Sequence, residues 1–218
     1  MRDPILIASL PRSGSSLVSS IIDRAGVFSG NIKAGDEWNE YGYFENINIT
    51  NLLVQYLRKH DVDKKGKRFQ PVGLDEPYIH FHNDVSNVMY IEGLRTNEKW
   101  YYKDPKIALT WKLWNTHFPK AKWVIVERDL NEVMSSIKRT KFMDAFSTRE
   151  EWASYIGFFL MNIDSIKRHC NYITINVNEL FEQRFRSIDL MCDFIGVPFN
   201  EDILSVINKR FWNGNNTE

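Results

Sequence analysis

Apolar residues recur along this chain in two rhythms. Short, nearly unbroken runs occupy positions 5–10, 100–103, 122–127 and 172–177, the pattern of strands, the first of them buried. Between them, apolar residues return every three or four positions, as on helices. Residues 48–59 carry Ile49, Leu52, Leu53, Tyr56 and Leu57 at that spacing, and residues 84–95 carry Val85, Val88, Met89 and Ile91. Residues 130–139 follow with Val133, Met134 and Ile137, and 150–168 form a long amphipathic stretch from Trp152 to Ile166. Helices are also expected over 15–24 and 187–195, the latter stopped by Gly196-Val197-Pro198. Strand and helix alternate, which predicts an α/β fold: a single domain over 1–218 with a mainly parallel sheet flanked by helices. Residues 28–44 and 61–83 break the rhythm and read as long loops, segments that often carry function in a compact domain. The second contains Lys64-Lys65-Gly66-Lys67-Arg68, whose plainest reading is a solvated loop.

Composition narrows the class. The 43% hydrophobic content with 14% aromatics is that of a globular chain and not a disordered one. Acidic and basic residues balance at 28 each, so the basic excess of a general nucleic-acid binder is missing, which leaves room for a local basic pocket. The two cysteines, Cys170 and Cys192, build neither a disulfide framework nor a Cys-rich zinc site and read as small core residues. Met1-Arg2-Asp3-Pro4 runs straight into the first strand with no secretory signal or spanning helix before it, so the chain reads as soluble and cytoplasmic, with no membrane span.

Candidate chemistry starts where the first strand ends. Ile5-Leu6-Ile7-Ala8-Ser9-Leu10 breaks at Pro11, passes through Arg12-Ser13-Gly14-Ser15-Ser16, and continues as an amphipathic helix. A strand feeding a helix N-terminus presents unpaired amides and a positive dipole end to an anion. The loop is not a Walker A motif: it has one glycine and no lysine before the serine pair. Nor does a later strand end in an aspartate that would hold magnesium; the third ends Val126-Glu127-Arg128, where the arginine suggests a second anion contact.

Pro11-Arg12-Ser13-Gly14-Ser15-Ser16 after a strand resembles the phosphosulfate-binding loop of the sulfotransferases that use 3′-phosphoadenosine 5′-phosphosulfate (PAPS). A second segment, from Phe118-Pro119 through Val124-Ile125-Val126-Glu127-Arg128-Asp129 to Ser135-Ser136, is similar to the family's 3′-phosphate segment. There an arginine at a strand end and a serine eight positions on share the phosphate, a spacing that Arg128 and Ser136 keep. Arginine offers a fork of donors to phosphate oxygens. Ser136 lies about two helical turns on, and Ser135 points roughly 100° away around the helix. Lys103-Asp104-Pro105 is similar to the tyrosylprotein branch, and many bacterial members carry Lys-Thr-Pro there. Asn178-Glu179-Leu180 and Phe194-Ile195-Gly196-Val197-Pro198 are similar to the family's Tyr-Glu-Asp-Leu and Phe-Leu-Gly-Val-Pro segments.

The resemblance implies a P-loop nucleotide-binding architecture and a metal-independent, in-line transfer of a sulfuryl group from PAPS, leaving adenosine 3′,5′-bisphosphate (PAP). It implies that Arg12, Ser13, Gly14, Ser15, Ser16, Arg128 and Ser136 bind the donor. Arg12 would face the bridging and 5′-phosphate oxygens, with Lys103 as second cation. A base is needed for the acceptor. Glu45, in Gly42-Tyr43-Phe44-Glu45, and Glu37 stand nearly level, with His80 and His82 third. The two histidines have the spacing of a metal pair, but no third ligand is evident. Trp38, Trp111, Trp114 and Trp212 are candidates to stack on adenine. The family's basic Arg-Lys-Gly loop near the C-terminus is missing, Lys209-Arg210-Phe211-Trp212-Asn213-Gly214 being the only likeness. Two rivals stand beside this reading: a P-loop nucleoside or nucleotide kinase, and a non-catalytic PAP-binding protein of the same fold. The acceptor (carbohydrate, phenol, lipid or peptide) and the oligomeric state are not encoded legibly.

Overall fold

Ile5–Ser9 forms β1, five consecutive buried residues inside the sheet. The structure is a computed structural model and describes residues 1–36, 39, 42–60, 78–140, 146 and 148–207. Its sheet adds β2 (Tyr101–Lys103), β3 (Lys122–Glu127) and β4 (Asn171–Asn176) in the order β2-β1-β3-β4. All pairings are parallel, with Ile5 opposite both Tyr101 and Lys122, and Lys122 opposite Asn171. Parallel neighbours need crossovers, and the helices supply them.

Alternation along the strands sorts the helices into two layers. Ile5, Ile7, Val124 and Val126 face a core built with α1 (Ser15–Arg24), α7 (Val177–Phe181), α8 (Arg186–Ile195) and a 3-10 turn at Glu201–Val206. Leu6, Ala8, Trp123 and Ile125 face the other core, with α2 (Ile47–Lys59), α3 (Phe81–Ile91), α4 (Trp111–His117), α5 (Leu130–Arg139) and α6 (Arg149–His169). Trp100, Trp114 and Trp123 are fully buried there, each such side chain contributing roughly 1.5–3 kcal/mol of burial. The long α6 starts from a capping box in which Thr148 and Glu151 satisfy each other's backbone amides. Gly196, at φ 76, ends α8.

Helix α3 corrects the expected boundaries of 84–95. It begins at Phe81, whose ring is fully buried and meets Trp114 edge-on at 4.9 Å, and it ends at Ile91 because Gly93 turns the chain at φ 101. The expected loop over 61–83 therefore closes earlier. Its Lys64-Lys65-Gly66-Lys67-Arg68 run lies outside the described residues. The loop at 28–44 is pinned at several points. Phe28 bridges to Trp100, Ile32 to Asn46, and Asp36 to Asn39.

The layers also place the site. β1 and β3 are adjacent, yet α1 and α5, which follow them, pack on opposite faces. Helices that part in this way open a crevice at the carboxyl ends of the strands, where open α/β sheets bind ligands. Among the described residues no helix is long and apolar enough to cross a membrane.

Candidate active site

After β1 the chain turns through Leu10-Pro11-Arg12-Ser13, and the Ser13 amide donates back to the Leu10 carbonyl at 3.3 Å. Arg12 is left-handed at φ 66, and Gly14, which precedes α1, at φ 85. A Cβ on Gly14 would lie 2.9 Å from Cγ1 of Val177, so glycine lets the loop sit against α7. The first helical hydrogen bonds of α1 run from Leu17 and Val18 to the Gly14 carbonyl, so the amides of Ser15 and Ser16 lie ahead of them at the mouth of the crevice.

The turns after β1 and β3 meet. Arg12 Nε donates to Ser136 Oγ at 3.1 Å, and Arg128 Nη1 donates to the Arg12 carbonyl at 3.2 Å. Ser136 is buried on α5, while Ser135 is exposed. Arg128 is aimed by Glu132, which accepts from its Nε at 2.9 Å. Asn178 braces that pair, donating to Glu132 Oε1 and accepting from the Asp129 amide, both at 3.1 Å. Burial lowers the pKa of both guanidinium groups. For Arg12, Tyr43 opposes this, while Arg128 and Arg139 add to the lowering. For Arg128, Glu132 opposes it and Arg139 again lowers. Arg12 and Arg128 thus stand in a partly dry positive field, to which the exposed Arg139 adds, and a polyvalent anion bound there relieves the repulsion.

A second cluster adjoins α1. Lys103, at the end of β2, is 4% exposed. Its ammonium donates to the Tyr43 carbonyl at 2.9 Å and to Glu45 Oε1 at 3.1 Å, with Ser16 Oγ at 3.5 Å. Asn39 donates to Ser16 Oγ at 3.0 Å and to the Gly42 carbonyl at 2.7 Å, fastening the 28–44 loop to α1. Behind Lys103, buried Asp104 accepts from Tyr102 and Thr50 and pairs with Lys106 at 2.7 Å. Burial works against the Lys106 charge, but Asp104 outweighs it, and the pKa is raised.

Tyr43 lies within Coulombic reach of Arg12 and Glu45. Its hydroxyl donates to both oxygens of Asp36, at 2.9 and 2.8 Å, and Lys33 stands over its ring at 3.7 Å. Burial, then the hydrogen bond to Asp36, pushes its phenol up to about 12. Tyr78 is raised to about 12 by its hydrogen bond to Asp84 and by burial. Each phenol ionises near 10 when unfolded. The stability they contribute is present below pH 10 and is lost as pH climbs toward 12, because the unfolded chain then holds fewer protons. We expect resistance to denaturant to fall steadily from pH 10 upward, with no phenolate absorbance from either residue in the native protein at pH 10. Native-state phenolate from both at that pH would contradict this.

Glu37 and Trp38 lie outside the described residues, as do Trp212 and the basic segment from Lys209 to Gly214. His80 immediately precedes α3 without a side-chain capping bond, and His82 packs on Phe118 at a ring distance of 5.0 Å. Both sit at the start of α3, which packs in the layer opposite α1. His117, beside them, is pushed down by burial and then by the charge of His82. Among the described residues no group of three or more His, Cys, Asp or Glu converges to hold a metal. Trp114 stacks on Tyr102 in the core, and Trp111 stacks on His169 while donating to Asn162. Neither is open to a base. Sequence reasoning named Asn178 only within a segment similar to the family's, and missed Asn39, Glu132 and Arg139. Only Glu132 left a signal, its i,i+4 spacing from Arg128.

A model of the sulfotransferase family matches residues 4–201. This chain belongs to that family. Solved sulfotransferases share its fold. The sulfotransferase domain of the curacin biosynthetic pathway aligns at TM-score 0.65 with 14% identity, over 95% of this chain and 78% of that one. The sulfotransferase domain of the Synechococcus olefin synthase aligns at 0.62 with 16% identity, over 99% and 82%. Sulfotransferase STF1 of Mycobacterium tuberculosis aligns at 0.61 with 9% identity, over 94% and 70%. No curated protein sequence matches the chain. As a sulfotransferase, the chain is a transferase whose substrates include an acceptor.

Proposed function

We propose that this sulfotransferase moves a sulfuryl group from PAPS to an acceptor hydroxyl or amine, in line and without a metal ion. The observation that carries the reading is that Arg12 reaches Ser136 while Arg128 holds the Arg12 carbonyl, from turns that follow two neighbouring strands. One doubly phosphorylated nucleotide spans such a pair. Arg128 and Ser136 hold the 3′-phosphate, with Arg139 adding positive field. Arg12, Lys103 and the loop from Ser13 through Ser16 hold the phosphosulfate, the amides of Gly14, Ser15 and Ser16 facing it, so side-chain and backbone donors meet the charge that a metal would otherwise balance.

Glu45 is the preferred base, since it alone of the described candidates touches Lys103. The acceptor oxygen or nitrogen attacks sulfur as the bond from sulfur to the 5′-phosphate oxygen breaks. The acceptor proton passes to Glu45, and the electron pair of the broken bond leaves on PAP, where Arg12 and Lys103 stabilise it. Positioning and charge stabilisation do the work in such loose transition states.

A melting experiment tests the donor. PAP at about one hundred times its Kd should add about 2.7 kcal/mol of stability, raising Tm by roughly 5–10 °C. ADP with magnesium should do far less. Stabilisation by ADP with magnesium and none by PAP would give the site to a kinase. Stabilisation by PAP without transfer of labelled sulfuryl to a pool of phenolic, carbohydrate and peptide acceptors would give it to a non-catalytic binder.

A further inference from the structure

We infer that Glu92, just after α3, is a positioning residue that latches the segment carrying Glu45; the inference rests on Glu45 acting as the base. Glu92 belongs to none of the donor motifs. Its Oε2 accepts from the Asn31 amide at 2.7 Å and from Asn46 Nδ2 at 2.6 Å, and its Oε1 accepts from Asn48 Nδ2 at 2.7 Å. The three donors come from both ends of one segment, 31–48. One carboxylate therefore ties both ends to α3 with charge-assisted hydrogen bonds, which are about twice as strong as neutral ones.

Asn46 is the linking piece. It is buried, caps α2 by accepting from the Ile49 amide at 3.0 Å, and donates to the Ser29 carbonyl at 3.1 Å. The segment closes on itself through the amide of Ile47 to the Asn31 carbonyl and that of Lys33 to the Glu45 carbonyl, both at 2.9 Å. Glu45 precedes Asn46 directly, and its carboxylate meets Lys103. The backbone is shaped for this latch. Gly30 is left-handed at φ 68, and a Cβ there would lie 2.0 Å from Glu92 Oε2 and 2.6 Å from Asn46 Nδ2. Only glycine leaves the carboxylate its place.

A base whose backbone is held at both sides keeps its angle to the reacting atom, and a misplacement of about 1 Å can cost roughly 100-fold in rate. Glu92 bonds to Asn31, Asn46 and Asn48, whereas Arg128 and Ser136, proposed for the 3′-phosphate, stand after β3 and on α5.

The test compares wild type, Glu92→Gln, Gly30→Ala and the double variant by three measurements. Amide hydrogen exchange at Lys33 and Ile47 should quicken by about tenfold or more in every variant, with the amides of β1 and β3 unchanged. PAP affinity should stay within about twofold of wild type. Release of PAP from PAPS in a mixed phenol and sugar acceptor pool should fall by about 10- to 100-fold. The double variant should be no worse than Gly30→Ala, since both changes undo one latch. Unchanged exchange at Lys33 and Ile47 would overturn the latch. Exchange that rises equally in β1 and β3, or turnover that is unaffected, would reduce Glu92 to a structural residue. If wild type neither binds PAP nor turns over, the sulfuryl-transfer reading fails, and the exchange data still decide the latch.

Discussion

Glu45→Gln should lower turnover by about two to four orders of magnitude while leaving PAP affinity near that of wild type. The amide keeps the shape of the carboxylate but accepts no proton. Lys103 keeps its bond to the Tyr43 carbonyl, so the ammonium stays beside Ser16 and the donor contacts survive. Single-turnover transfer from labelled PAPS, run beside calorimetric titration with PAP, separates the two quantities. Normal transfer by the variant would move the base to Glu37, the other carboxylate candidate. A parallel loss of PAP affinity would show that Glu45 acts by placing Lys103.

The second large effect concerns the opposite end of the crevice. Arg128→Ala should weaken PAP by about 2–3 kcal/mol, roughly 30- to 150-fold in Kd, since a charge-assisted contact to phosphate is removed. The change also leaves Glu132 with Asn178 as its partner and drops the bond to the Arg12 carbonyl, so the loop after β1 loses a prop. Arg128→Lys should recover only part of the loss, because a point charge does not reproduce the fork of donors. Titration of the three proteins with PAP decides this. Equal affinities would place the 3′-phosphate elsewhere.

What the sequence made legible follows from burial. A strand covered on both faces must be apolar throughout, so β1 and β3 stand out as runs, and the run over 122–127 matches β3 at both ends. Helices α1 and α5 were readable to the residue because a loop glycine and Asp129 mark their starts. Short elements carry too few periods to register, so the five residues of α7 and the turn at Glu201–Val206 left no pattern. The start of α3 was hidden because it depends on Phe81 finding Trp114, a partner from a distant part of the chain.

The site divides in the same way. Arg12, Arg128 and Ser136 sit at fixed offsets from strand ends and helix starts, so local spacing carried them. Asn39 on Ser16 and Glu92 on Asn46 join segments far apart in the chain, and hydrogen bonds between remote segments leave no spacing to read. Lys103 and Glu45 were each named by likeness to a motif, but their contact is a product of the tertiary fold.

Arg12 bends the backbone into a conformation that most side chains resist. Holding it there costs on the order of 1 kcal/mol, and glycine would relax that turn while surrendering the guanidinium. The loop is thus tuned against its own rigidity: the chain accepts a less comfortable fold at this point so that a permanent positive charge stands where the anion arrives. Selection for a tougher protein alone would be expected to favour glycine at this position.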